Sequence, residues 1–312
     1  MSTSIFDGWI YDHNQYTTIF EVLAAEIERV LNGSSPIVFP LLGDSRAGKT
    51  ALLKDIETRF ADEVSPSGHR KVMFVPMPSA ASNEALAVGI IQTILGNVQV
   101  KGKAYQILNQ ARETMKGAGV LVLLVDETNH LVEKMSTQKA QTKENRQTAD
   151  WFKELGDISR ISVVVTGLTH VSRMYADNDQ LENRGLVGAR IHPYAWSVKA
   201  DRDQFKNTIN AAIAHMKVHG WSIDVDADLL TRVAYFGGGG YIGKARDFLV
   251  RIETIGNMHK KLDVALLSSA YKGKYALDSH GDPTLLKTID DVMLNGAHQK
   301  ALQRAIKSGR GR

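Results

Sequence analysis

The sequence predicts an α/β protein, with a parallel sheet that carries a phosphate-binding loop, followed by a smaller, purely helical region. Three observations predict it. Short, continuously apolar runs alternate with helical patterns over roughly the first 200 residues, which is how strands buried on both faces by helices read. One run, "IVFPLL" at 37–42, leads into G-D-S-R-A-G-K-T, Gly43 to Thr50, and then into a helical pattern. Another run, Val120–Val125, ends in Asp126-Glu127, and the carboxyl end of a buried strand is where such sheets bind ligands.

The elements follow in order. Residues 17–31 place Ile19, Phe20, Val22, Leu23, Ile27, Val30 and Leu31 on one helical face, and "NGSSP" ends that helix with turn residues. The strand at 37–42 contains Pro40, which lacks a ladder donor, so a local distortion is expected there. A helix through "KTALLKDIETRF" and a polar loop precede a second strand, 71–77. Helices follow at 83–95 and through "LNQARETMK", then the strand ending at Asp126. A polar segment, 133–150, separates it from the helix "ADWFKELGDIS" and the strand in "RISVVVTGLTH", which ends at Thr166-Gly167. A final strand is expected within 189–196. From there the pattern is helical only, through "LDVALLSSAYKGKY". The expected divisions are an N-terminal helical segment 1–35, an α/β core 36–199, a helical lid 200–275 and a basic C-terminal tail 276–312.

Composition narrows the function classes. A 43% hydrophobic, 23% charged chain of 312 residues has ample core material for one domain and a smaller second one. The absence of cysteine excludes disulfide frameworks and thiolate metal or redox sites, and fits a reducing compartment. No segment approaches 18 continuous apolar residues, and the N-terminus lacks the basic start and apolar run of a signal peptide. The expectation is a soluble, cytoplasmic protein with no membrane partner. A net charge of +4 is a mild pointer toward a polyanion.

The loop from Gly43 to Thr50 carries the chemistry. Its glycines, Gly43 and Gly48, let backbone N–H groups turn onto phosphate oxygens beside a helix N-terminus. Lys49 is suited to the β- and γ-phosphates, and the Thr50 hydroxyl to Mg2+. The nucleotide is then held by Gly43, Asp44, Ser45, Arg46, Ala47, Gly48, Lys49, Thr50 and Ala51. Asp126 is the magnesium-side acid, and Glu127 is placed to orient and polarise a water. That pair favours hydrolysis over transfer to an acceptor substrate. Thr166 would stand beside the γ-phosphate if its strand neighbours Val120–Val125.

Two patterns lead elsewhere. "GGGYIGKA" at 238–245 repeats the loop spacing through Gly238, Gly243 and Lys244, but Ala245 replaces the hydroxyl residue and a helix precedes it. It reads as a helix cap followed by a helix start, with Lys244 or Arg246 able to approach a phosphate. His215 and His219 are spaced i, i+4, yet no glutamate or third ligand accompanies them, so they read as a helix pair. Trp151, Trp196 and Trp221 read as core or interface aromatics.

Together these residues resemble an AAA+ ATPase, and more particularly the transposition regulators of the TnsC and TniB type, relatives of the Mu B protein. The likeness runs from about residue 16 to 275 and is carried by the phosphate loop, "VDETNHL", "VVVTGLTHV", "LENR", "DQFKNTI" and "GGYIGKARDFL". It implies ATP and Mg2+ as cofactors, slow regulatory hydrolysis, and a homo-oligomeric ring or filament around double-stranded DNA. It also implies a transposase and a target-selector protein as partners, in a prokaryotic mobile element. By position, Arg184 would be the arginine finger, with Arg190 the alternative, and Lys244 the lid sensor where the family often has arginine. Thr128 and Asn129 depart from the acidic or aromatic residues often found there.

DNA contact of this kind needs phosphate-binding cations. The resemblance puts Lys101 and Lys103 in a DNA-facing pore; by themselves they read as solvated lysines. The segment holding Lys139 and Lys143 is either a second DNA-facing loop or a polar insertion. The acid-free stretch with Lys300, Arg304, Lys307, Arg310 and Arg312 is either a DNA or transposase contact or a frayed basic terminus. An AAA+ helicase or clamp loader would share every nucleotide residue, as would a nucleotide-switched scaffold. A P-loop kinase would need an acceptor pocket.

Overall fold

In the computed structural model, the residues described are 4–7, 9, 13–78, 82–129, 138–172, 188–275 and 289–309; the side chains of 138–146, 170, 172, 273–275 and 305–309 fall outside that set. The chain divides into two compact units. One comprises Tyr16–Ser45, Lys49–Ile191 and Lys307–Arg312, and the other Met1–Gln15, Arg46–Gly48 and His192–Ile306. The boundary therefore falls at Ile191/His192, and the expected N-terminal segment 1–35 is divided after Gln15.

The first unit is built on a five-stranded parallel sheet in the order β2-β3-β4-β1-β5, from Val38–Gly43 (β1), Val72–Pro76 (β2), Val122–Asp126 (β3), Ser162–Gly167 (β4) and Ala189–Ile191 (β5). Every residue of β3 and β4 is buried, which explains why these strands read as unbroken apolar runs and not as alternation. Helices Asn14–Leu31 (α1), Lys49–Arg59 (α2), Asn83–Leu95 (α3), Ala104–Ala118 (α4) and Gln138–Ser159 (α5) complete the unit. Leu123, Val125, Val163 and Val165 join Leu86, Ile90, Ile91, Met115, Phe152 and Leu155 in one cluster. Each such buried side chain contributes about 1.5–3 kcal/mol.

Two expectations are corrected here. The strand runs unbroken through Pro40, which pairs in register with Val165. Val163 N–H bonds to Ile37 O, so odd-numbered residues of β1 face β4, and Pro40 turns its missing donor to the other side, where pairing with β5 begins only at Leu41. The polar segment expected up to residue 150 is helical from Gln138, continuous with the predicted helix. No Gly or Pro interrupts 138–155, and Ala, Gln, Lys, Glu and Arg dominate its first turns. The final strand is also shorter than its expected window, three residues within 189–196.

The second unit gathers Lys199–Val218 (α6), Ala227–Gly238 (α7), Ile242–Gly256 (α8), Val264–Tyr275 (α9) and Asp291–Gly309 (α10), with a two-residue parallel pair of Ser222–Ile223 (β6) and Lys261–Leu262 (β7). Its core holds Tyr194, Trp196, Phe205, Tyr235, Phe248 and Ile252. The glycine run has a packing reason. Gly240 has φ +92, and a Cβ there would lie 2.2 Å from Tyr194 O. Helix α10 occupies the region expected as a basic tail: Leu294 and Ala301 are buried, and Asp291 accepts Trp196 Nε1–H at 3.0 Å and Arg232 Nη1 at 2.8 Å.

The N-terminal residues are embedded in this unit. Phe6 is fully buried, and its carbonyl accepts Arg246 Nε at 3.2 Å and also Arg246 Nη2. The buried Glu253 carboxylate accepts Ile5 N–H at 2.9 Å and the Ser4 hydroxyl. His215 Nε2 donates to Ile5 O at 2.7 Å, and His219 Nδ1 to His215 O at 2.9 Å. The histidine pair thus anchors backbone, as satisfied helix histidines do.

Candidate nucleotide site at the carboxyl ends of the strands

Parallel register assembles the site. With Leu41 opposite Thr166, Leu42 opposite Gly167 and Val125 opposite Val165, the ends of β1, β3 and β4 bring Gly43, Asp126 and Thr166 side by side. Lys49 and Thr50 open α2 directly after the loop.

Lys49 Nζ donates to Gly43 O and Asp44 O, both at 2.9 Å, folding its ammonium back across the mouth of the loop. Burial pushes its pKa down, opposed by the carboxylates of Asp126, Asp44 and Glu127. Asp44 also caps its own loop by accepting Ser45 N–H at 2.9 Å. Arg46, Ala47 and Gly48 group with the helical unit. Gly48 there has φ +96, a conformation open to glycine without strain, and Arg46 adopts φ 64 at the cost of about 1–2 kcal/mol. Ala51 lies in the first turn of α2.

Asp126 is buried and takes three donors. Thr50 Oγ1 donates to Oδ2 at 2.6 Å; Thr166 Oγ1 and Glu127 N–H donate to Oδ1, the latter at 3.0 Å. Thr166 Oγ1 in turn accepts Glu127 N–H at 3.1 Å. An anionic oxygen and a hydroxyl oxygen in contact form a hard-oxygen donor pair, which fits Mg2+. Glu127 itself is exposed and has φ 59, the left-handed region that a non-glycine side chain enters only when its surroundings hold it there.

The remaining predicted residues lie on other elements. Lys244 lies in the first turn of α8, its ammonium 4.4 Å from the Tyr241 ring centroid. Arg190 is exposed on β5 and donates from Nη2 to Thr169 Oγ1 at 3.0 Å. Arg184 lies outside the described residues. Lys101 and Lys103 are exposed on the loop before α4, where Lys103 N–H bonds to Gln106 Oε1 at 2.9 Å. Lys139 and Lys143 belong to α5, and their side chains are outside the described set. Thr128 is the residue whose role the sequence left open: it is fully buried, and both its N–H and its hydroxyl donate to Thr166 O, at 2.8 and 2.7 Å. Only its place two residues beyond a buried acid hinted at this.

Residues 6–187, more than half of the chain, match the model of the family described as TniB, the bacterial TniB protein. No curated protein matches the sequence. Among solved structures, the Orc1 protein of Aeropyrum pernix in complex with DNA is similar at TM-score 0.59 and 15% identity; the match covers 83% of this chain and 65% of that one, just under two thirds of its length. Cdc6p from Pyrobaculum aerophilum gives TM-score 0.60 and 16% identity, and the Aeropyrum pernix ORC2 protein in ADPNP and ADP complexes gives 0.60 and 13%, each covering 97% of this chain and 83% of the other. At these identities the likeness establishes the fold, an AAA+ core with a parallel sheet and a helical C-terminal region. The motifs, the sheet and the family match lead to one conclusion: the chain, with its AAA+ fold, belongs to the bacterial TniB family.

Proposed function

We propose that this protein is an ATP-dependent DNA-binding regulator of transposition: it assembles as a ring or filament on duplex DNA, marks the insertion target and engages a transposase and a target selector. Hydrolysis of ATP to ADP and phosphate, slow and regulatory, releases the assembly. The observation that carries the reading is the junction of Lys49, Thr50, Asp126, Glu127 and Thr166 at the strand ends. Lys49 would bind the β- and γ-phosphates, and Thr50 with Asp126 would hold Mg2+. The bound metal supplies charge neutralisation at the phosphates. Glu127 orients and deprotonates the attacking water, and Thr166, bonded to both acids, keeps the pair in register.

Arg184 is our choice for the finger that completes a neighbouring subunit's site, with Arg190 the alternative, and Lys244 for the lid sensor. A lysine there keeps the charge and loses the bidentate fork. The DNA-binding side chains in this reading are Lys101 and Lys103, then Lys139 and Lys143, acting on phosphates and not on bases. Support comes from the family match and from related folds solved with DNA or with ADPNP and ADP. The protein works in the cytoplasm of a bacterium, encoded by a mobile element. The test is fluorescence anisotropy of a labelled duplex with ATP, a non-hydrolysable analogue and ADP. Triphosphate-dependent binding, insensitive to sequence and weakened by Lys101→Ala with Lys103→Ala, is expected. Nucleotide-dependent assembly without DNA affinity would move the reading to a loader or scaffold.

A further inference from the structure

We infer that Thr128 is a positioning residue for hydrolysis: its hydroxyl fixes the left-handed turn that aims the Glu127 carboxylate. The inference rests on the reading of Glu127 as the water-orienting base.

The β3–β4 ladder ends at Val125–Val165, and the chain of β3 then leaves the sheet. Glu127 is the pivot, at φ 59. On its N-terminal side Asp126 is still paired, opposite Pro76, and its carboxylate receives Thr50, Thr166 and the Glu127 N–H. On its C-terminal side Thr128 returns to β4 and gives Thr166 O two bonds, from N at 2.8 Å and from Oγ1 at 2.7 Å. Thr166 therefore holds both flanks of the pivot, Asp126 through its hydroxyl and Thr128 through its carbonyl. A residue caught between two anchored neighbours has little freedom in φ and ψ, and the direction of its Cα–Cβ bond is set with them. The neighbouring strand leaves room for this return: a Cβ on Gly167 would lie 3.2 Å from Thr128 Oγ1 and 2.5 Å from Val171 Cγ2.

A buried threonine serving packing alone would not need this hydroxyl, since the Thr128 N–H already satisfies the carbonyl once. The second bond fixes χ1 and ties the side chain to the strand as well as the backbone. Its loss lets the turn relax and displaces the Glu127 carboxylate from the attacking water. Positional errors of about 1 Å cost as much as 100-fold in rate.

The experiment measures steady-state ATP hydrolysis and binding of a fluorescent ATP analogue by the full chain carrying Thr128→Val, Thr128→Ser, Glu127→Gln and the double Thr128→Val/Glu127→Gln. Valine keeps the branched shape and loses the hydroxyl. We expect kcat for Thr128→Val to fall about 10-fold with KM and nucleotide affinity within about 2-fold of the starting protein. Thr128→Ser should restore kcat, and the double variant should be no slower than Glu127→Gln alone. Thr128→Ala, which adds no apolar bulk beside the carbonyl, serves the same test if the valine variant is poorly folded. Wild-type kcat in Thr128→Val or Thr128→Ala, with Glu127→Gln inactive, overturns this inference alone. Full activity in Glu127→Gln overturns the reading beneath it. A parallel rise in KM and fall in melting temperature without serine rescue would mark Thr128 as structural and likewise overturn the inference.

Discussion

Replacing Thr166 by valine separates the two acids at the heart of the site. Thr166 is fully buried, so the near-isosteric valine leaves no cavity. Two bonds are lost: the hydroxyl's donation to Asp126 Oδ1 and its acceptance of Glu127 N–H. The second loss is cushioned, because the same N–H also reaches Asp126 Oδ1 at 3.0 Å. The first is a bond to a charged group, of the kind that contributes about 1.5–3 kcal/mol. Asp126 keeps Thr50 at 2.6 Å and Glu127 N–H, so it is not left bare. The expected cost is about 2 kcal/mol in stability, equal to a fall of about 3 °C in Tm for a chain of 312 residues. The same freedom lowers kcat about 10- to 100-fold, or about 1.4–2.7 kcal/mol in the barrier. Calorimetry and a phosphate-release assay read the two effects. Thr166→Ser should stay near wild type in both. A valine variant melting within about 1 °C of wild type with unchanged kcat would refute the reasoning about this bond network.

Other expectations follow from the same contacts. Lys49→Ala should abolish nucleotide binding, measured by titration with a fluorescent ATP analogue, because it removes the loop's ammonium; retained affinity would contradict the site. Phe6→Ala deletes a fully buried ring and should cost about 3–5 kcal/mol, read as a lowered calorimetric transition; a change under about 1 kcal/mol would mean that the N-terminal residues do not support the helical unit. Burial holds the His298 imidazole below its ordinary pKa of 6.5, despite opposition from Asp201. The unfolded chain then binds the extra proton first, so this contribution is complete above pH 6.5 and is lost as pH falls from there through the folded-state pKa. A His298→Gln variant should show a flatter decline of Tm over that window. Lys101→Ala with Lys103→Ala should reduce the slope of log affinity against log salt by about 1–2.

Much of this was legible in the sequence, and for physical reasons. Buried parallel strands read as apolar runs, so β1, β3 and β4 stood out, and the acid closing β3 marked the ligand end of the sheet. The bond joining Thr166 to Asp126 requires that β3 and β4 be neighbours, which the sequence left conditional and the register supplies, while Thr50 reaches Asp126 because β1, which leads into α2, pairs with the other edge of β4. What eluded the sequence depends on tertiary partners. Gln138–Thr148 lacks an apolar helical face, so its polar composition read as a loop, and the only local pointers to a helix were the absence of Gly and Pro and its Ala, Gln, Lys, Glu and Arg content. The docking of α10 rests on Asp291 meeting Trp196 and Arg232, pairs too distant in the chain to read together. The burial of Phe6 depends on Arg246, Glu253 and His215, more than 200 residues away. Pro40 misled because its effect depends on which neighbour its nitrogen faces.

The measurement that tests the central claim most directly is electron microscopy of the purified protein with duplex DNA in ATP, a non-hydrolysable analogue and ADP. The account predicts rings or filaments on DNA in the triphosphate states and their loss in ADP, with persistence in ATP for Glu127→Gln. No DNA-bound assembly at low salt in any nucleotide state would contradict it.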